Sequence, residues 1–380
     1  MPHAETLSPR ERVHMALSHE EPDRVPIDQG GFQTGLHKKA YQALIDHLGL
    51  EEAIQELDPV QQLAAPSEEV LKRVHADIRY VGAHGPDSFQ GGIELNERDG
   101  RRWHDLRDEF GVVWSMPDDQ MLYMDISHHP LADATVKDVQ AYPFPNGGDP
   151  TRFTGVREKA LAMRQGTPYA LSSTICGVTY EICWYMRGLE RWFVDMIENP
   201  ALCEALLDRT SQFWVDWMEG FLGEAGDVLD VIMIGDDLAG QQGPLFSPNF
   251  YRKIVRPRQQ RVIDTIKRHT KARIWYHTCG DCSPYIPDLI EMGVDILNPV
   301  QISTRGLDPK ALKDTYGHEI VFWGGGIDSQ HVLPFASPDQ VREEVRRNVE
   351  SFKPGGGYIF NNVHNIQAGV PPENVMAMYE

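Results

Sequence analysis

The sequence predicts a single closed (β/α)₈ barrel, and three observations carry that prediction. Short apolar segments recur eight times along the 380 residues, at 25–30, 78–82, 169–174, 231–236, 273–279, 296–301, 320–326 and 357–364. Most are rich in Val, Ile or aromatic residues and end in Gly, Asp, His or Asn, as short buried strands do. Helical periodicity fills the stretches between them, and strand alternating with helix in one chain predicts a parallel sheet. Eight units favour closure; an open doubly wound sheet is the rival. No Gly-x-Gly-x-x-Gly follows the first segment, which removes the commonest nucleotide-binding form of that rival.

The elements follow in order. Residues 1–24 form an N-terminal helical extension, with a helix over 9–19 leading into the first strand. Residues 94–130 alternate apolar and polar positions, as in Gly111-Val-Val-Trp-Ser-Met, with a turn over 96–100. They read as a small antiparallel excursion inserted after the second strand, with the Pro- and Gly-dense stretch 143–150 returning to the barrel. Helices are expected over 257–269 and 283–292, the second stopped by Gly293. Ser337-Pro-Asp-Gln opens another, with Ser337 as N-cap. Gly324-Gly-Gly-Ile lacks a following Gly-Lys-Ser/Thr and reads as a plain strand exit. Residues 1–380 are thus read as one domain.

Composition narrows the function. With 41% hydrophobic and 24% charged residues the chain is neither disordered nor fibrous. Asp and Glu number 56 against 36 Lys and Arg, a formal net charge of −20 that opposes binding to nucleic acid or an anionic membrane. No apolar run approaches the roughly 20 residues of a membrane span. The polar stretch 1–12 has no apolar signal core, so a cytoplasmic protein is expected. The five cysteines, Cys176, Cys183, Cys203, Cys279 and Cys282, are too few and odd in number for a disulfide framework. Cys176, Cys183 and Cys203 sit in apolar surroundings and read as buried thiols.

The strongest chemical signal is His277-Thr-Cys279-Gly280 at the end of the fifth strand. Residues two apart on a strand point to one face, so His277 and Cys279 point together, at the C-terminal mouth of a barrel. Imidazole and thiolate form a Zn²⁺-type pair that needs further ligands. His364 closes the last strand and faces the same mouth. Asp236 and Asp237 close the fourth strand, as ligands, as general acid or base, or as a helix cap. Cys282 completes a Cys-x-x-Cys but lies past the strand end, where a small helix-start residue is the plainer reading. His128-His129 reads as a solvated loop pair. Trp323, beside the glycine run, is placed near the mouth, and alternation puts Asn362 on one face with His364.

Several segments carry a resemblance. His277-Thr-Cys-Gly, followed by Ile286-Pro-Asp-Leu-Ile-Glu-Met-Gly-Val-Asp-Ile-Leu-Asn-Pro-Val-Gln, resembles the uroporphyrinogen decarboxylase superfamily. So do Glu11-Arg-Val…Leu17, Pro22-Asp-Arg-Val-Pro, Gly235-Asp-Asp-Leu-Ala-Gly and Ser247-Pro…Tyr251-Arg. The resemblance implies a single (β/α)₈ barrel and one of two chemistries. Porphyrinogen decarboxylases carry a Gln-Ala-Gly-Arg-Tyr-type segment after the first strand. Here that place holds Asp28-Gln-Gly-Gly-Phe-Gln-Thr-Gly, without the arginines that would hold substrate carboxylates. The zinc- and corrinoid-linked methyltransferases use His-x-Cys plus a Cys on the last strand. His277 and Cys279 match the first two; the third does not match as Cys, and His364 stands within a position or two of where it would fall.

The resemblance therefore implies one Zn²⁺ per chain on His277, Cys279 and His364, with Asp236 the competing third ligand. Asp236 and His277 are the expected catalytic residues, and Asp237, Asn298, Gln301, Trp323 and Asn362 the expected substrate-binding residues. A His₂Cys site carries less negative charge than a HisCys₂ site, which favours a substrate of methyl ether or methylamine type. No Asp-x-His-x-x-Gly segment occurs, so the corrinoid would come on a separate partner protein. The resemblance also implies a homodimer. The alternatives are a metal-free decarboxylase, with Asp236 or His364 as proton donor, and a catalytically idle barrel serving as a binding subunit.

Overall fold

A computed structural model describes residues 5–174 and 179–380; Cys176 lies outside them. Seven parallel strands stand side by side in chain order: Ile78–Val81, Ala170–Ser173, Val231–Gly235, Arg273–His277, Ile296–Asn298, Val321–Trp323 and Tyr358–Ile359. The expected first strand contracts to one residue. Ile27 bridges in parallel to Phe360 on one side and to Ala76 on the other, joining the two ends of the sheet. The Asp28 amide donates to the Phe360 carbonyl and the Phe360 amide to the Pro26 carbonyl. Pro26 has no N–H to extend the ladder, and Gly30 (φ 98°) turns the chain away. The ring is the (β/α)₈ architecture expected from the sequence.

Side-chain alternation fills the barrel. Ile78, Ala170, Val231, Met233, Trp275, Ile296, Val321, Trp323 and Ile359 form an inner core, and the intervening Ile232, Ile234, Ile274, Tyr276, Leu297 and Phe322 pack outward. Trp275 and Trp323 stack inside it, centroids 4.5 Å apart. Trp323 donates its indole N–H to the buried Asp28, 3.0 Å away, so it lies within the barrel and not at the mouth.

The helix Pro9–Leu17 starts at Ser8, which exchanges capping bonds with Glu11, and ends two residues before the expected limit. Its Val13, Ala16 and Leu17 join the inner core and close the N-terminal end of the barrel. Beside them the fully buried Arg12 guanidinium bonds Asp23 and Asp77, each at 2.7 Å, and Arg24 reaches Asp77 at 2.6 Å. Ser337 caps Pro338–Phe352 as expected. The helix predicted over 283–292 begins as a 3₁₀ turn, Ser283–Tyr285, before Ile286–Met292 and the left-handed Gly293. The longest helix, Pro200–Ala225, packs against Arg256–His269 on the outside.

The insertion is a four-stranded antiparallel sheet, Ile93–Arg98, Arg101–Arg107, Val113–Pro117 and Asp125–His128, paired in sequence order. Asp99 (φ 52°) and Gly100 (φ 72°) make its first hairpin turn, the left-handed pair an Asp-Gly loop supplies. A second small sheet, Leu36–His37 with Leu63–Ala65 and Gln55–Asp58, has no counterpart in the sequence reading. Among the described residues no helix is long and apolar enough to cross a membrane.

Candidate metal centre and active-site cavity

Register builds the site. Gly235, His277 and Asn298 fall in one row across three neighbouring strands. Outward packing of Ile274 and Tyr276 sends His277 inward, onto the layer above Trp275. Gly235 leaves room for it: a Cβ there would stand 2.7 Å from His277 Cβ. On the other side Asn298 Oδ1 lies 2.5 Å from His277 Nδ1, and Asn298 Nδ2 donates to the Trp323 carbonyl at 2.8 Å. That second bond fixes Oδ1 as the oxygen facing the ring. Nδ1 therefore carries the proton and Nε2 presents a lone pair, the tautomer a metal ligand needs. Cys279 Sγ lies 3.4 Å from Nε2.

His364 completes the cluster. One ligand atom each from His277, Cys279 and His364 lies within 4.8 Å of the others, at the C-terminal mouth. The two imidazoles meet edge to face, centroids 5.2 Å apart. Burial lowers the His277 pKa to about 4, and burial with the neighbouring His277 lowers that of His364. Both rings are neutral near pH 7, as ligation requires. The donor set fits Zn²⁺ with one adjustment. His364 Nδ1 accepts the Asn365 amide at 2.7 Å, so its Nε2 carries the proton. Ligation by either nitrogen of that ring displaces the Asn365 amide.

The two aspartates that end the fourth strand part company. Asp236 turns outward, fully buried, and its carboxylate caps the helix Tyr180–Arg187. It accepts from the amides of Thr179, Tyr180 and Glu181, from Thr179 Oγ1 at 2.8 Å and from Gln259 Nε2 at 2.8 Å. The structure does not bring Asp236, expected to be catalytic, to the cluster. Asp237 turns inward and accepts the Cys279 amide at 2.7 Å. Gln301 Oε1 accepts the Gly280 amide at 2.8 Å. Asn362 is buried, bonded through Nδ2 to the His364 carbonyl, and lies behind that residue. Trp323, expected to bind substrate, meets the site only through its carbonyl, which accepts from Asn298 Nδ2, and its ring lies in the inner core. Cys282 is buried outside the cluster, its thiol pushed up to about 12 by burial and by Asp281.

Two cavities meet at the cluster. One, of about 390 Å³, is bordered by the side chains of Asp237, Cys279, Gln301, Ser329, Gln330 and His364. The other, of about 580 Å³, reaches His277, His364 and Asp237 from the side of the inserted sheet, which contributes Trp114 and, from a connecting loop, Asp108 and Phe110. Its remaining walls include Tyr185, Trp214 and Trp217 from helices. Five carboxyls line it, Asp58, Asp108, Glu109, Glu181 and Asp237, and among the described residues no Lys or Arg does. Burial and the charges of Asp237 and Asp236 push Glu181 well above the usual carboxyl range. Sequence reasoning missed Glu181. An acid in the first turn of a helix is ordinarily explained by the helix dipole, so nothing marked it.

The comparisons with known proteins agree with this fold. The family model for uroporphyrinogen decarboxylase (URO-D) matches residues 128–380. The chain belongs to that family. It is 22% identical over 259 residues to the uroporphyrinogen decarboxylase of Alkalilimnicola ehrlichii, covering 66% of this chain and 67% of that one. It is 23% identical over 205 residues to the methylcobamide:CoM methyltransferase MtbA of Methanosarcina acetivorans, covering 53% of this chain and 56% of that one. Of several further uroporphyrinogen decarboxylases the chain spans about half the length, as with the 50% of the Ruthia magnifica protein. A methyltransferase from Methanosarcina mazei shares the fold over 98% of this chain and 97% of its own, with a TM-score of 0.62 and 18% identity.

Proposed function

We propose that the protein is a zinc-dependent methyltransferase component that moves a methyl group between a small substrate and a corrinoid carried by a separate protein. The observation that carries this reading is the convergence of His277, Cys279 and His364 on one point at the barrel mouth. Three protein ligands with a fourth position left to substrate is the composition of a catalytic zinc site. When bound, Zn²⁺ would supply Lewis acidity at the heteroatom that loses or gains the methyl group.

The chain's own residues have separable tasks. His277 offers Nε2 because Asn298 holds its other nitrogen. Asp237 fixes the Cys279 backbone and borders both cavities. The two cavities suit two reactants, a small substrate on the aromatic side and the partner's cofactor on the polar side. The decarboxylase alternative is disfavoured by the larger cavity. Among the described residues no Lys or Arg lines it to hold substrate carboxylates.

The test is metal analysis of the purified protein beside His277→Ala, Cys279→Ser, His364→Ala and Asp236→Asn. One zinc per chain is expected, lost in the first three variants and kept in the fourth. A wild-type chain that takes up no zinc while releasing CO₂ from a carboxylated ring would turn the reading to the decarboxylase.

A further inference from the structure

Among the carboxyls that line the larger cavity Glu109 is paired with Arg152, whereas among the described residues no cation meets Glu181. Glu181 is 8% exposed and lines that cavity. Its Oε1 accepts a hydrogen bond from the Tyr185 hydroxyl at 3.2 Å, while among the described residues no donor reaches Oε2. Other buried carboxyls are met either by guanidinium groups, as Asp77 by Arg12 and Arg24, Asp195 by Arg187 and Asp288 by Arg252 and Arg256, or by a full set of neutral donors, as Asp236 is. Burial and the nearby Asp237 and Asp236 favour the protonated form of the Glu181 carboxyl, and a cation entering the space of about 580 Å³ that it lines would stabilise the charged form. The surrounding surface is aromatic. Trp114 and Tyr185 rings stand 5.1 Å apart, and Trp214 and Trp217, 5.6 Å apart, lie on the same cavity. Ring faces attract a cation whose charge is spread over methyl groups, and they do so with little need to strip strongly held water.

We infer that this cavity binds a methylated ammonium group, with Glu181 as the specificity-determining carboxyl and the Trp114, Tyr185, Trp214 and Trp217 rings as its walls. This deepens the methyltransferase reading by choosing an amine over an ether as the substrate class. A neutral methyl ether would fill the aromatic space but offer Glu181 no opposite charge; a quaternary or protonated methylamine satisfies both. The cavity reaches His277 and His364, so the ammonium's methyl groups would lie toward the candidate metal centre.

The experiment compares choline with 3,3-dimethyl-1-butanol, its neutral carbon isostere of the same shape, by calorimetry on metal-stripped protein and on protein supplied with zinc. Choline is expected to bind at least tenfold more tightly in both preparations, and Glu181→Gln to bring the two affinities together while the unfolding midpoint is retained. Equal affinity for the two probes in the wild-type protein, or no binding of choline, overturns the inference without use of any variant. A cation preference that survives in Glu181→Gln overturns the role of Glu181. Because the metal-stripped arm does not depend on zinc, absence of zinc or of methyl transfer would fail the methyltransferase reading while leaving this binding result intact.

Discussion

The two ends of the barrel handle buried charge in opposite ways. At the N-terminal end, Arg12 and Arg24 are matched to Asp23 and Asp77 within 2.6–2.7 Å, and the helix that carries Arg12 plugs the inner core. At the C-terminal mouth, Glu181 and Asp237 line a cavity that no Lys or Arg among the described residues borders. A closed network locks one geometry, whereas uncompensated groups keep part of the site's potential for a ligand. The comparison teaches which end serves stability and which serves binding, in line with the general division of labour in such barrels.

The largest expected effect breaks the closed end. Arg12→Ala leaves Asp23 and Asp77 buried beside one fewer guanidinium and should lower stability by about 3–5 kcal/mol. Denaturant unfolding would measure it, and zinc content per folded chain should not change. A loss of metal without a loss of stability would contradict the division between the ends.

A smaller effect sharpens the mouth. Asn298→Ala removes the group that sets the His277 tautomer and should weaken zinc binding by about 10–100-fold. Competition against a chelator reads this directly. An unchanged affinity would mean that the ring is oriented by packing alone.

Asp236→Asn comes next. Five donors converge on that carboxylate, and an amide NH₂ would meet some of them head on. Stability should fall by about 1–3 kcal/mol with zinc retained. A variant that folds normally but loses zinc would return Asp236 to the ligand set.

The smallest effect is a slope. Burial raises the Asp28 pKa from 3.8 to about 6 despite bonds from Tyr80 and Trp323. A carboxyl raised on folding gives its stabilisation in full below pH 3.8 and loses it as pH rises through about 6. Asp23, held low by Arg12 and the Leu7 and Thr6 amides, acts in reverse: its contribution is present above its unfolded pKa and fades as pH falls through the folded one. Measured from pH 4 to 7, the stability of the wild-type protein relative to Asp28→Asn should fall as pH rises. An identical slope in that variant would remove Asp28 from the account.

What could be read from the sequence follows from where polarity changes. Strands two to eight were legible because each is an apolar run between turn residues, and His277 with Cys279 because a strand period of two was enough to pair them. The sides taken by Asp236 and Asp237 were not legible. The strand before them, Val231-Ile-Met-Ile-Gly, is apolar on both faces, so no polar alternation marks the inward phase. The position of Trp323 was hidden for the same reason: Val321-Phe-Trp is buried throughout. The Asn365 bond to His364 depends on a backbone turn in which His364 takes φ 61°, which residue type does not announce.

The closure at Ile27 has a consequence for a chain made from one end to the other. Ile27 is synthesised early, yet the Phe360 it must meet follows more than three hundred residues later. Until then the growing sheet has an unpaired edge at the Ile78–Val81 and Ile27 side and cannot form a ring. His364 emerges four residues after Phe360, so the third candidate ligand is delivered by the same stretch that seals the ring. An unfinished chain can hold His277 and Cys279 together, but it has neither a closed wall nor a complete ligand set. Wall and candidate ligand set are completed together, and a metal held by all three residues would have to wait for that last segment.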